Sequence, residues 1–206
     1  MIKRKFSTAE LREKGNCYAA RSFIFHTINR DRLINGKRKI LYACIGTPRI
    51  SGDSFGPMVG SILEKHLADI DGCDSEVIGT VSNPLTALTL EKYRNKLTSD
   101  DYFVVAVDAA VSSDTEDSVI IRDGGFEPGI GIGNHNKVKP LRVGDLSCLY
   151  VLQMDTEKAT NTDVFKKLSN ISTSDLEEKA VFLTKAILNA EMDLLGKRRG
   201  LNEIYG

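Results

Sequence analysis

The sequence predicts an α/β fold: a mostly parallel, five-stranded sheet covered on both faces by helices. Three observations carry this. Apolar runs of strand length alternate with segments of helical periodicity. The strongest run, YFVVAV at 102–107, is continuously apolar, as a strand buried on both faces must be. The chain has 206 residues, enough to bury a core without disulfides or a structural metal.

Residues 1–16 are charged and weakly patterned, and read as a flexible lead-in to a single domain over 17–206. Residues 17–34 carry Ala20, Phe23, Ile24, Thr27 and Ile28 at helical spacing, and Asn35-Gly36 stops that helix. The run 40–46 is the first strand. A loop rich in Gly, Ser and Pro follows, then a helix with Met58, Val59, Ile62, Leu63 and Leu67 on one face. Residues 76–81 form the second strand. Ser82-Asn83-Pro84 turns the chain into a helix over 85–97. Residues 102–107 and 119–121 are the third and fourth strands. The link between them is too short for a helical crossover, so the fourth runs antiparallel. A glycine-rich stretch over 124–144 leads to the fifth strand at 146–154. The terminal helix spans 174–195, with Ser174 as N-cap and Glu177 completing a capping box.

Composition removes several function classes. Lys plus Arg and Asp plus Glu both number 28, so no global positive field holds nucleic acid. No apolar stretch is long enough to span a membrane, and the polar N-terminus lacks the apolar core of a signal peptide. The four cysteines form no CxxC pair, and Cys44 and Cys148 sit in apolar runs as small core residues. A reducing, cytoplasmic compartment is the expectation.

Ligands of open α/β sheets sit beyond the carboxyl ends of the strands, where strand order reverses. Right-handed crossovers favour the order 2-1-3, which sets the first and third strands side by side. Asp53 lies in the loop after the first strand, and Asp108 directly follows the third. The two acids then face one another. Adjacent carboxylates share a proton, so one form activates water while the other protonates a carbonyl oxygen or leaving group. The same pair is also suited to a divalent metal. On spacing alone, Asp53 reads equally as a helix cap and Asp108 as an ordinary strand end.

A third feature is Glu127-Pro128-Gly129-Ile130-Gly131-Ile132-Gly133-Asn134-His135. It matches neither a dinucleotide fingerprint nor a Walker A loop. Its glycines suit a loop lining a cleft. His135 reads either as a metal ligand or base, or as a solvent-exposed loop residue. No serine stands in GxSxG.

Three segments together resemble a known family. Cys44-Ile45-Gly46-Thr47 with Gly52-Asp53-Ser54-Phe55-Gly56-Pro57-Met58-Val59-Gly60 looks like the opening motif of the YyaC-like sporulation proteins. Ala106-Val107-Asp108-Ala109 and the 127–134 loop are similar both to that family and to the spore germination protease. Val143-Gly144-Asp145 fits the YyaC-like pattern better than the protease. The resemblance implies the three-layer α/β/α fold of hydrogenase maturation proteases, with strand order 2-1-3-5-4 and strand four antiparallel. It implies a peptidase with Asp53 and Asp108 catalytic, and Gly52, Ser54, Gly129, Gly131, Gly133 and Asn134 binding substrate. It needs no cofactor unless a divalent metal joins the acids through His135. The implied partner is a protein substrate, with small acid-soluble spore proteins as candidates and the developing spore as the setting. A homo-oligomer is compatible. The resemblance also leaves open a metal-dependent maturation protease, or a non-catalytic protein that keeps the fold and binds a partner.

Overall fold

A computed structural model describes residues 2–7, 14–36, 38–114, 117–129 and 141–197. The elements in order are β1 (Lys3–Ser7), α1 (Lys14–Asn35), β2 (Lys39–Cys44), a 3-10 turn (Gly52–Ser54) and α2 (Phe55–Leu67). There follow β3 (Glu76–Ile78), a second 3-10 turn (Leu90–Tyr93), α3 (Arg94–Leu97), β4 (Tyr102–Ser112) and β5 (Ser118–Asp123). The chain continues with β6 (Leu146–Gln153), α4 (Asn161–Ser169) and α5 (Thr173–Leu194). No helix among the described residues is long and apolar enough to cross a membrane.

The sheet has six strands in the order β1-β5-β6-β4-β2-β3. β3, β2, β4 and β6 are parallel neighbours, whereas β5 runs antiparallel to both β6 and β1. The five strands expected from sequence therefore stand in the order 2-1-3-5-4, with the fourth reversed. The sixth is the correction. Residues 3–7, assigned to a flexible lead-in, pair from Lys3 with Arg122 to Ser7 with Ser118. Phe6 alone of this strand is shown buried, so the segment has almost no apolar signature and owes its place to the open edge of β5.

Alternation along β2 and β4 divides the interior in two. Ile40, Tyr42, Cys44, Val105 and Val107 face α1, α2 and α5 in the larger core. Leu41, Ala43, Ile45, Val104 and Ala106 face a smaller core built from Leu85, Leu90, Leu97, Leu141 and Val143. The larger layer is tied by polar contacts. Arg21 of α1 forks onto Asp193 of α5. Glu191 of α5 accepts from the Tyr42 hydroxyl at 2.7 Å and the Ser75 hydroxyl at 2.6 Å.

Three further expectations change. The helix over 85–97 exists only as the short turns from Leu90 onward. Before it, Leu85 bridges Ile45, and the Thr89 hydroxyl accepts from the Thr86 N–H, a local turn that competes with helix. The terminal helix starts earlier than Ser174, its N-cap being Ser172, which accepts from the Asp175 N–H. Helix α4 was not foreseen, although Thr160 and Asp163 form a capping box at its start.

Helix α2 packs closely against the carboxyl ends of β2 and β3. A Cβ at Gly56 would lie 2.0 Å from the Ile45 carbonyl oxygen, and one at Gly60 would lie 2.0 Å from that of Gly79. Both neighbours are backbone and cannot rotate aside. Gly60→Ala is expected to lower stability by about 1–3 kcal/mol, the usual cost of overpacking. Gly15→Ala, on an open part of α1 with nothing near its Cβ, is the matched control and stays neutral or gains. Urea unfolding midpoints of the two variants check this.

Candidate active site at the carboxyl end of the sheet

Strand β4 does not stop at Val107. Its pairing with β2 ends at Cys44 and Val107, but its pairing with β6 continues to Ser112 and Gln153. Asp108, expected to follow its strand, instead lies within it, at the first position beyond the end of β2. The sequence masks this because YFVVAV gives way to a less apolar stretch that β6 nevertheless supports. Alternation places Asp108 on the face of Val104 and Ala106. It is only 8% exposed, and its carboxylate accepts from the Ala109 N–H at 2.8 Å.

Asp53 is delivered by the loop between β2 and α2. Ile45 donates to the Val107 carbonyl at 2.7 Å, and Gly46 donates to that of Leu85 at 2.9 Å, so the chain stays against the sheet until the loop begins. Gly46 has φ of +138°, and a Cβ there would lie 2.0 Å from the Asp53 carbonyl oxygen. Only glycine lets the loop fold back this closely. The return is latched by the Thr47 N–H, which donates to the Asp53 carboxylate at 2.8 Å. Sequence reasoning missed Thr47 because a backbone donor leaves no side-chain signature.

The structure brings Asp53 and Asp108 into electrostatic contact. Burial pushes the Asp108 carboxyl well above the ordinary aspartate range, and the Asp53 charge raises it further; the Ala109 N–H opposes both. Burial also raises Asp53, with the Thr47 N–H pulling it back. Both carboxyls are thus held above the ordinary range, the more deeply buried Asp108 further than Asp53, and the Asp53 charge opposes ionisation of Asp108.

The neighbours of Asp53 have packing roles. A Cβ at Gly52 would press on Leu168 of α4 at 3.0 Å. The Ser54 hydroxyl donates to the Ser51 carbonyl at 2.6 Å. Gly129, with φ of +84°, has its Cβ position 3.1 Å from the Ala87 methyl. Gly131, Gly133, Asn134 and His135 lie outside the described residues. Among the described residues, no group of three or more His, Cys, Asp or Glu is placed to hold a metal ion. Asp145 belongs to the opposite end of the sheet, where it exchanges backbone and side-chain hydrogen bonds with Val104.

Comparisons with known proteins identify a family and leave the chemistry open. A family described as "Protein of unknown function (DUF1256)" matches residues 8–174. Over 112 residues the chain is 36% identical to a Bacillus subtilis (strain 168) protein described as "Uncharacterized protein YyaC", covering 53% of this chain. The chain thus spans about half the length of that curated relative, 51%. Among solved structures, a nickel–iron hydrogenase maturation protease, HycI from Thermococcus kodakarensis KOD1, aligns with a TM-score of 0.44 and 22% identity. That alignment covers 80% of this chain and 97% of the other.

A carboxyl whose pKa is higher folded than unfolded binds protons more tightly in the folded state, so it costs stability as pH rises from about 4 through the folded value. Asp108→Asn keeps the acceptor for the Ala109 N–H and removes the buried charge. The variant is expected to match or exceed wild-type stability at neutral pH, with the difference vanishing below pH of about 4. Thermal unfolding across that range checks it; lower stability of the Asp108→Asn variant at neutral pH contradicts the buried-charge account.

Proposed function

The chain belongs to the DUF1256 family, and on that premise we propose that it is a peptidase of spore-forming bacteria that hydrolyses a peptide bond with Asp53 and Asp108. The observation that supports this most is the pair itself: a buried and a half-buried carboxylate, from different elements, in electrostatic contact at the switch point of an α/β sheet.

The two environments suggest the division of labour. Asp53 ionises more readily and has a backbone donor for its charged form, so it is the general base that takes a proton from water. Asp108 keeps its proton and is the general acid that gives it to the carbonyl oxygen or the leaving amine. Gly129 and the residues after it, Gly131, Gly133 and Asn134, form the substrate-binding loop in this reading. The contacts of Gly52 and Ser54 favour support of the Asp53 loop over direct binding. Small acid-soluble spore proteins are the first substrates to test.

Cleavage of that protein mixture, followed by mass spectrometry, tests the reading. Asp53→Asn and Asp108→Asn should each lower the rate by at least about a hundredfold, the ordinary contribution of a general acid or base. Full activity in either variant removes the acid–base pair as the catalyst.

The pH profile follows from the same assignment. The reaction needs Asp53 ionised, so the rate falls as pH drops through its raised pKa. It needs Asp108 protonated, so the rate also falls as pH rises through the higher pKa of that group. A bell-shaped kcat/KM profile is expected, and its alkaline limb disappears if Asp108 has no acid role.

A further inference from the structure

The strand that carries Asp108 has an unmatched edge. β4 is 11 residues long and β2 only 6. Past Val107 the β2 side of β4 has no strand neighbour among the described residues, while the other side remains laddered to β6 as far as Ser112. The open length, Asp108 to Ser112, is about 16 Å at ordinary strand rise.

Backbone direction alternates along a strand, and two hydrogen bonds fix the phase. The Val107 carbonyl accepts from Ile45 on the β2 side, and the Ser112 carbonyl accepts from Met154 on the β6 side. Ala109 and Val111 therefore turn their N–H and C=O groups toward the open edge. The Ala109 N–H is taken by the Asp108 carboxylate. The Ala109 carbonyl and both backbone groups of Val111 have no hydrogen bond to any described residue. These residues are half-buried, where an unpaired donor and acceptors are costly.

We propose that this edge is the substrate's docking site: an extended peptide segment adds to β4 as a strand in line with β2, bonded to Ala109 and Val111. The inference rests on the peptidase reading for the identity of the guest, a protein substrate. Three features select that guest. The groups without a partner among the described residues have the spacing of a β-ladder, which main-chain amides match and small molecules do not. The edge begins at the two acids, so a strand laid along it brings a peptide bond to them. The side chains along it are small, Ala109 and Ala110, and leave room for backbone. The neighbouring carboxylates disfavour an acidic residue at the bond. Ala109 and Val111 are positioning residues, acting through main-chain bonds.

The test uses the full chain. In the free protein, hydrogen exchange read by NMR should find the Val111 amide unprotected, with the flanking Ala110 and Ser112 amides slow. Phage-displayed random peptides of about twelve residues, long enough to span the open edge, are then selected on Asp108→Asn, which binds without cleaving. The best peptide is resynthesised with one N-methylated amide at a time. Methylation should weaken binding by about tenfold or more at alternate residues only, and Val111→Pro, which removes an N–H that no ladder uses, should do the same. Binding should also protect the Val111 amide. A protected Val111 amide in the free protein, whether from the chain itself or from a second copy, overturns the proposal. So does uniform tolerance of N-methylation, or failure to select any peptide. Periodic binding with no cleavage by wild type sinks the peptidase reading alone; cleavage without periodicity sinks the strand-docking alone.

Discussion

The contact on which the rest of this molecule depends is the approach of α2 to the carboxyl ends of β2 and β3. With a Cβ at Gly56 or Gly60 the helix would have to stand off the sheet. The loop that joins β2 to α2 would then lose its register, since its two ends are fixed by that packing. At present the loop folds back at Gly46 and is closed by the Thr47-to-Asp53 hydrogen bond. Asp53 therefore owes its position to glycines that lie outside the site. A packed interior deforms little, so a shift of the helix would pass directly to the carboxylate.

The acids stand in a part of the fold where charge is unfavourable. Stability alone would replace Asp108 with an apolar or amide side chain, as at the other inward positions of β4, Val104 and Ala106. A protein that retains such a group carries a local instability offset by its two packed layers. That pattern is characteristic of functional sites, where stability and chemistry are in tension. The contrast with Asp145 is instructive. It sits just before β6 begins, where it faces Arg38 and answers the backbone of Val104, and so serves the architecture.

Much of this was legible in the residues. The strands β2 to β6, their order and the reversed β5 followed from apolar runs, link lengths and the handedness of crossovers, with the family resemblance completing the order. The pairing of Asp53 with Asp108 followed from the same topology. What escaped had no local signature. β1 has a single clearly buried apolar side chain and is a strand only because β5 offers an edge. The segment 85–97 has helical spacing, but Leu85 is drawn into a bridge with Ile45 and its threonines prefer a turn. The extent of β4 depends on β6, whose Leu149 pairs with Asp108, and no window centred on Asp108 contains that partner. Thr47 acts through its backbone, and sequence patterns report side chains.

One feature of the sheet bears on how the chain reaches this state. β6 lies between β4 and β5, although it is synthesised after both. Until residue 153 is available, β4 and β5 each lack their central neighbour, and β1 has only an unanchored strand to join. The last-arriving strand must insert in the middle of the sheet instead of adding at its rim. Contacts of such long sequence separation close large loops before they return any stabilisation, so assembly should be slow and concerted. A nascent chain would expose two unpaired strand edges from the end of β5 until β6 emerges, which gives chaperones a reason to attend to this small protein.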